Sequence, residues 1–338
     1  MTAADYMDAC LHDPADGYYA TRPAIGAGGD FLTAPMVSQM FGELIGLWAA
    51  QVWLAMGSPA LVRLVEMGPG DGTLMADMTR AIGRAAPGLL AAAEVWLVET
   101  SAPLRRAQAA RLAALRPQWA GGLEEVPGEA PLLLVANELL DCLPARQFVR
   151  TAEGWAERRI GLDADGRLAF GLSPAPSGFV PPLEVEVGAL VEASPAQERL
   201  GALVGARIGR DGGAALFLDY GRAVPSAGDT LQALRHHRKQ GPLEHPGEAD
   251  LTVHADFPAF AAAARATGVE VSAIRTQGAL LKALGIEARA AALSAARPDQ
   301  AEQIARQLAR LVDPDQMGEL FKAVCVHSPG LPAPGFED

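Results

Sequence analysis

One segment carries the clearest chemical signal in this chain of 338 residues: Val65-Glu66-Met67-Gly68-Pro69-Gly70-Asp71-Gly72-Thr73-Leu74, set between an apolar run and a helical pattern. Glycine at alternate positions lets a ligand lie against bare backbone, where a Cβ would block it. The spacing selects among ligands. A dinucleotide fingerprint, G-x-G-x-x-G, needs its third glycine at position 73, which is Thr73, and the G-K-[ST] ending of a triphosphate loop is absent. G-x-G-x-G behind the acidic Glu66 suits a nucleoside without phosphates, S-adenosylmethionine, whose ammonium group favours nearby carboxylate and carbonyl oxygens. The expected donor contacts here are Glu66, Gly68, Pro69, Gly70, Gly72, Thr73 and Leu74. Glu99, followed by Thr100 at the end of the next apolar run, supplies a carboxylate for both ribose hydroxyls.

Methyl transfer from a sulfonium is an in-line displacement, which needs aligned reactants and exclusion of water. Asn137-Glu138-Leu139-Leu140-Asp141 follows a further apolar run, where an α/β sheet places ligands. Asn137, Glu138 and Leu139 are expected to wall the donor, and Glu138 and Asp141 to orient an acceptor nitrogen. The alternative for the two carboxylates is a helix start that merely favours negative charge. Gly29, Asp30, Thr33 and Pro35 precede the first strand, in a segment expected to fold back as a lid. Gly29, Thr33 and Pro35 are expected to touch the donor or line the pocket entrance and Asp30 to be catalytic, the alternative being a turn with a capped helix. Glu43 and Tyr220 are candidate substrate contacts, although Tyr220 at a strand end equally suits packing on the sheet. His254 and Asp256 read as a helix cap with a polar neighbour. No His/Cys/Asp set has metal spacing, and no serine sits in a nucleophile elbow.

Short apolar runs alternating with helical patterns predict the elements that carry these residues. Strands are expected at Val62–Met67, Val95–Val98, Leu132–Ala136, Ala214–Leu218, Val269–Ile274 and Phe321–Val326. Helices are expected at Ser38–Met56, with Ser38 as cap, and at Thr73–Ala85, Ser101–Leu115 and Asp256–Thr267, with two or three more between Leu280 and Leu311. The fold class is α/β, a doubly wound Rossmann-like sheet with an added hairpin and helical subdomain. Residues 1–60 form an N-terminal lid and helical segment, 61–145 and 211–328 the core, 146–210 the insertion and 329–338 a tail. Pro225 to Leu251 reads as a long loop whose basic run, Arg235-His236-His237-Arg238-Lys239, is solvated surface.

Composition narrows the function. With 28 Lys+Arg against 40 Asp+Glu, the formal charge is −12, which disfavours a nucleic-acid binder. Cys10, Cys142 and Cys325 are odd in number and far apart, which predicts reduced thiols in a cytosol-like compartment. The start shows no secretory leader, and the longest uncharged run, Leu44 to Val62, is broken by Gly57-Ser58-Pro59, so a buried helix is expected there.

Several separated blocks resemble the MidA-type methyltransferases, a family that includes the mitochondrial protein-arginine methyltransferase assisting respiratory complex I assembly. They are His12-Asp13-Pro14 with Gly17-Tyr18-Tyr19, Gly29-Asp30-Phe31 with Thr33-Ala34-Pro35, Phe41-Gly42-Glu43, the Glu66–Leu74 loop, Asn137–Asp141 with Leu143-Pro144, Asp219-Tyr220-Gly221, Gly228–Gln232, Pro246–Thr252 and Gln277-Gly278. Met36 departs from the acidic residue usual after Ala/Ser-Pro. The resemblance implies methylation of an arginine on a partner protein such as an NADH dehydrogenase subunit, in a bacterial cytoplasm or, for eukaryotic relatives, a mitochondrial matrix. A guanidinium acceptor calls for carboxylates that fix its plane. A non-catalytic assembly protein and a small-molecule methyltransferase are the other readings. Oligomeric state is left open.

Overall fold

Residues 1–21, 33–181 and 183–337 are described by the computed structural model. Gly29 and Asp30, two of the expected lid residues, lie outside the described residues.

The chain begins with α1 (Ala3–His12), started by a reciprocal cap between Thr2 and Asp5, and the single turn α2 (Tyr18–Thr21). After α3 (Ala34–Val37), the Ser38 hydroxyl accepts from the Met40 N–H and starts α4 (Gln39–Ala55). A βα alternation follows through β1 (Val62–Met67), α5 (Thr73–Ala85), α6 (Pro87–Ala92), β2 (Ala93–Val98), α7 (Ala102–Arg111), β3 (Gln118–Ala120) and β4 (Leu132–Asn137). A meander of β5 (Arg146–Thr151), β6 (Gly154–Leu162), β7 (Leu168–Pro174) and β8 (Leu190–Ala193) leads through α8 (Pro195–Asp211) to β9 (Gly213–Arg222). Short strands come next: β10 (Gln232–Arg235), β11 (Arg238–Gln240), β12 (Asp250–Thr252) and β13 (Ala255–Asp256). Then come α9 (Phe257–Arg265), β14 (Glu270–Val271), β15 (Arg275–Thr276), α10 (Gln277–Ala283), α11 (Ile286–Ala296), α12 (Ala301–Val312), α13 (Met317–Leu320) and β16 (Phe321–His327).

The central sheet runs β14-β16-β9-β4-β1-β2-β3, with β13 beside β9 and β15 beside β16. From β3 to β9 the neighbours are parallel, and β16 extends the sheet antiparallel to β9, with β14 and β15 antiparallel along its far side. β1 and β4 are buried along their whole length, as strands covered by helices on both faces must be. One face packs under α4, α5 and α10 to α12, through Phe41, Ile45, Trp48, Met78, Leu280 and Leu311. The other packs under α8 and α9, through Val204, Ile208, Phe257 and Phe260. The connection order reverses at β1, between β2 and β4, which is where open α/β sheets hold ligands. The order and helix layers are those of the expected α/β sheet.

The insertion is a four-stranded antiparallel sheet, β7-β6-β5-β8, that packs on α1 through Ile160, Met7 and Leu11. Helix α8, which the expected 146–210 insertion includes, packs on the central sheet through Val204 and Ile208. Three other expectations change. The Pro225–Leu251 stretch contains the sheet β11-β10-β12, and the basic run forms its hairpin, turning on His236 and His237 at φ 51° and 59°. Such two-residue turns normally advertise themselves with Asn or Gly, and this one does not. The expected Val269–Ile274 strand is cut to Glu270–Val271, because the Ser272 hydroxyl takes the Cys325 N–H that a continuous ladder would use, and β15 starts only beyond it at Arg275. The tail is anchored: Ala333 and Phe336 are buried, and Arg275 donates to the Gly335 and Glu337 carbonyls at 3.0 and 2.7 Å. Among the described residues, no helix is long and apolar enough to cross a membrane, and no His/Cys/Asp/Glu group is arranged to hold a metal. The three cysteines are buried free thiols.

Candidate donor and acceptor site

The loop after β1 is built on left-handed backbone. Gly68, Gly70 and Gly72 have φ of 66°, 53° and 85°, a region that costs other L-residues about 1–2 kcal/mol each. Asp71 fixes the turn into α5: its Oδ1 accepts the Thr73 N–H at 3.0 Å and hydroxyl at 2.6 Å. Arg111 of α7 holds the other Asp71 oxygen at 2.7 Å. A Cβ on Gly68 would stand 3.1 Å from Leu139 Cδ1, so the loops after β1 and β4 lie face to face.

Between them opens a cleft of about 320 Å³. Its floor is Gly68 and Gly70, one wall is Glu99, Thr100 and Leu104 after β2, and another is Gly121-Gly122-Leu123 after β3. Leu139, Cys142 and Leu143 after β4, Leu200 and Leu203 of α8, and His12 and Tyr19 of the N-terminal segment complete it. A recess of about 40 Å³ continues from the cleft, lined by Thr33, Pro35, Met36, Glu66, Asp71, Thr73, Leu74 and Asn137. Gly68, Gly70 and Glu138 border both spaces.

Two buried acceptors in the recess have no partner among the described residues, Glu66 Oε2 and Asn137 Oδ1. Burial raises the Glu66 carboxyl well above the usual carboxylate range, with Asp71 and Glu99 adding to the rise. A buried acceptor left unpaired is costly, and an ammonium-bearing ligand would satisfy both. Bare glycine backbone, orphaned acceptors and Glu99 across the cleft fit the aminoacyl and ribose ends of S-adenosylmethionine.

Glu138 sits at the junction of cleft and recess. Its φ is 53°, unusual for a residue with a side chain, and its N–H donates to the Leu218 carbonyl at 2.9 Å. Its Oε1 accepts from the Asn137 amide at 2.8 Å and the Ala34 N–H at 3.2 Å. Burial, then the Asp141 charge, pushes its carboxyl up to about 7. Behind it, Asp219 accepts the N–H groups of Leu140 and Asp141 at 2.7 and 3.1 Å, and burial raises it well above the carboxylate range. Asp141 is raised to about 6, chiefly by burial. The Tyr220 hydroxyl lies beside Asp141 and Thr252, outside formed hydrogen-bond geometry. Tyr19 faces the cleft from the far side, its hydroxyl donating to Asp250 at 2.9 Å and its ring stacked on His12 at 5.7 Å.

Residues 44–275 match the family described as S-adenosyl-L-methionine-dependent methyltransferase. The chain belongs to this MidA-type methyltransferase family. Curated relatives named protein arginine methyltransferase NDUFAF7, mitochondrial, include the Danio rerio protein, 34% identical over 95% of this chain and 82% of its own length. The Homo sapiens protein is 32% identical over 95% and 78%. A Burkholderia thailandensis protein solved with S-adenosyl-homocysteine bound aligns over 100% of this chain and 89% of its own, at 27% identity and a TM-score of 0.83. The methyl donor of the family is therefore S-adenosylmethionine.

The methyltransferase brings most of the sequence candidates together. Glu66, Gly68, Pro69, Gly70, Thr73, Leu74, Thr33, Pro35, Asn137 and Glu138 line the recess, and Glu99, Thr100 and Leu139 the cleft. Gly72 acts one step behind as the left-handed start of α5. Asp141 and Tyr220 are not among the lining residues; they back the Glu138 loop. Glu43 does not reach the cleft either, since Arg289 of α11 holds its carboxylate at 2.8 Å with Arg80 at 3.5 Å. Asp256 caps α9 by accepting the Ala259 N–H. Sequence reasoning missed Gly121-Gly122-Leu123, Leu200, Leu203, His12 and Tyr19 as cleft residues. A Gly-Gly pair one residue past β3 was the available signal for the first group, and the His12 and Tyr19 blocks carried no assigned role.

Proposed function

We propose that this methyltransferase transfers the donor methyl to an arginine side chain of a partner protein, a subunit of a respiratory NADH dehydrogenase, in the bacterial cytoplasm. The observation that carries this reading is Glu138, a carboxyl placed where donor recess and open cleft meet. The relatives' names support the choice of arginine.

S-adenosylmethionine, when bound, supplies a methyl on a positively charged sulfur. In our reading Glu66 and the Asn137 side-chain oxygen hold the aminoacyl end. Glu99 takes the ribose hydroxyls, and the Gly121–Leu123 backbone and Leu104 flank the base. Pro69, Thr73, Leu74, Thr33 and Pro35 close the recess, and Met36 puts a thioether where the family usually has an acid. Leu139 covers the glycine loop and excludes water. Glu138 accepts from the entering guanidinium and turns one nitrogen toward the methyl. Asp141 and Asp219 reinforce it from behind, Asp219 by fixing the Leu140 and Asp141 amides. After transfer the acceptor nitrogen carries an extra proton, and a Glu138 carboxyl with a pKa of about 7 is matched to receive it. Asp30 retains its proposed place at the lid. Glu43 and Tyr220 stay candidate substrate contacts only through a lid or partner that reaches them.

The test is methylarginine profiling by mass spectrometry of cells with and without the gene, followed by transfer from labelled donor to the identified protein in vitro. The expected result is one or a few arginines, in a membrane-complex subunit, that lose methylation and regain it with purified enzyme. Label appearing only in small molecules, or an unchanged profile, would overturn the reading.

A further inference from the structure

One side chain outside every sequence motif ties the donor site together. Gln108, on α7, is fully buried, and its amide is used at both ends. Nε2 donates to the Gly70 carbonyl at 2.7 Å and to Glu99 Oε2 at 3.3 Å, while Oε1 accepts from Trp119 Nε1 at 2.8 Å. The amide's orientation is fixed by its neighbours: an indole N–H can only donate, and a backbone carbonyl can only accept. One residue thus joins the loop after β1, the carboxylate after β2 and strand β3. The remaining Glu99 oxygen, Oε1, accepts the Ser101 N–H at 2.7 Å. Arg105, one turn earlier on the same helix, donates to the Glu99 and Ala120 carbonyls at 2.7 and 3.2 Å. Both Glu99 oxygens are therefore engaged, which fixes the plane of the carboxylate at the cleft wall.

We propose that Gln108 is a positioning residue of the donor site, setting the distance of Glu99 from the glycine loop and the carboxylate plane offered to the two ribose hydroxyls. This rests on the reading that Glu99 takes the ribose. A leucine at 108 keeps the burial and bulk but removes the clamp. A carboxylate there would aim oxygens at the Gly70 carbonyl and at Glu99, so Gln108→Glu is expected to be worse than Gln108→Leu.

Calorimetry with S-adenosyl-homocysteine and its 2′-deoxy counterpart separates positioning from simple support. The parent is expected to bind the deoxy ligand about tenfold or more weakly, the loss of a hydrogen bond to a charged group. In Gln108→Leu, the affinity for S-adenosyl-homocysteine should fall about tenfold, and the gap between the two ligands should shrink to twofold or threefold. Trp119→Phe, which frees the amide to rotate, should show the same narrowing with a smaller fall, and it carries the test alone if Gln108→Leu does not fold. Equal losses for both ligands, with the gap unchanged, would show Gln108 to be structural only and overturn the proposal. A parent that binds the two ligands equally would instead overturn the Glu99 ribose reading, and the proposal with it.

Discussion

The Glu66 and Asn137 oxygens, buried without partners among the described residues, should cost the free enzyme stability that donor binding returns. Glu66→Gln, which keeps shape but removes charge, is expected to weaken S-adenosyl-homocysteine binding about tenfold by calorimetry while raising the unfolding midpoint of the free protein. Gly70→Val should abolish binding, since φ is 53° there and a branched side chain would occupy the floor. Glu138 makes a prediction about pH. Its carboxyl is raised from 4.5 to about 7, so the folded state holds the proton more tightly than the unfolded chain. Stability from this group is full below about pH 4.5 and is lost as pH rises through about 7. Transfer to a cationic acceptor should run the opposite way, rising through the same range as the carboxylate forms. Glu138→Gln should flatten that limb of the rate profile and, in urea titrations at pH 8, be more stable than the parent by on the order of 1–3 kcal/mol. A rate profile that keeps its rise near pH 7 in the variant would remove Glu138 from this role. Glu66, Asn137 and Glu138 were legible because each lies within one position of a strand end, and Gly70 because it follows β1 by three. Tyr220 lies two positions from the end of β9 and Asp141 four past β4, but such places also supply the packing behind a site, and sequence does not separate the two.

Among the elements, α4 is held to α11 by the Glu43 carboxylate, which takes Arg289 through Nε at 2.8 Å and Nη2 at 3.1 Å. Glu43 is buried while its arginine partners are about a third exposed, so solvent screens part of the attraction. Glu43→Ala should cost about 1–3 kcal/mol in urea unfolding and leave S-adenosyl-homocysteine affinity unchanged; a loss of acceptor affinity without a loss of stability would restore a substrate role. The central strands were legible because strands covered on both faces must be apolar throughout. β10 to β12 were not, being three or four residues long, largely polar and joined by a His-His turn. The cleft residues from α8, α1 and α2 were hidden for another reason: Leu200, Leu203, His12 and Tyr19 are ordinary types whose role is set by tertiary packing alone.

At the scale of the whole molecule, the terminal segment reads as a Pro/Gly-rich tail in sequence and is part of the core in structure. Phe336 is 8% exposed and shares a cluster with Leu280 and Leu284. Phe336→Ala should therefore lower stability by about 3 kcal/mol, a shift of several degrees in the thermal midpoint, without touching the donor site. The final strand has a different importance. β16 pairs with β9 along seven residue pairs, from Phe321↔Tyr220 to His327↔Ala214, so about a hundred residues of chain separate the partners. Such long-range pairing is slow to form and leaves strand edges open while it waits. On the ribosome, β9 emerges with this edge bare and must stay so until residues 321–327 have been synthesised. The strand whose end carries Asp219, and through it the backing of Glu138, is thus the last part of the parallel sheet to be sealed. An arrested nascent chain stopped before residue 321 should be cut by protease in this region, while the β5–β6–β7 meander, made of neighbouring strands, should already resist.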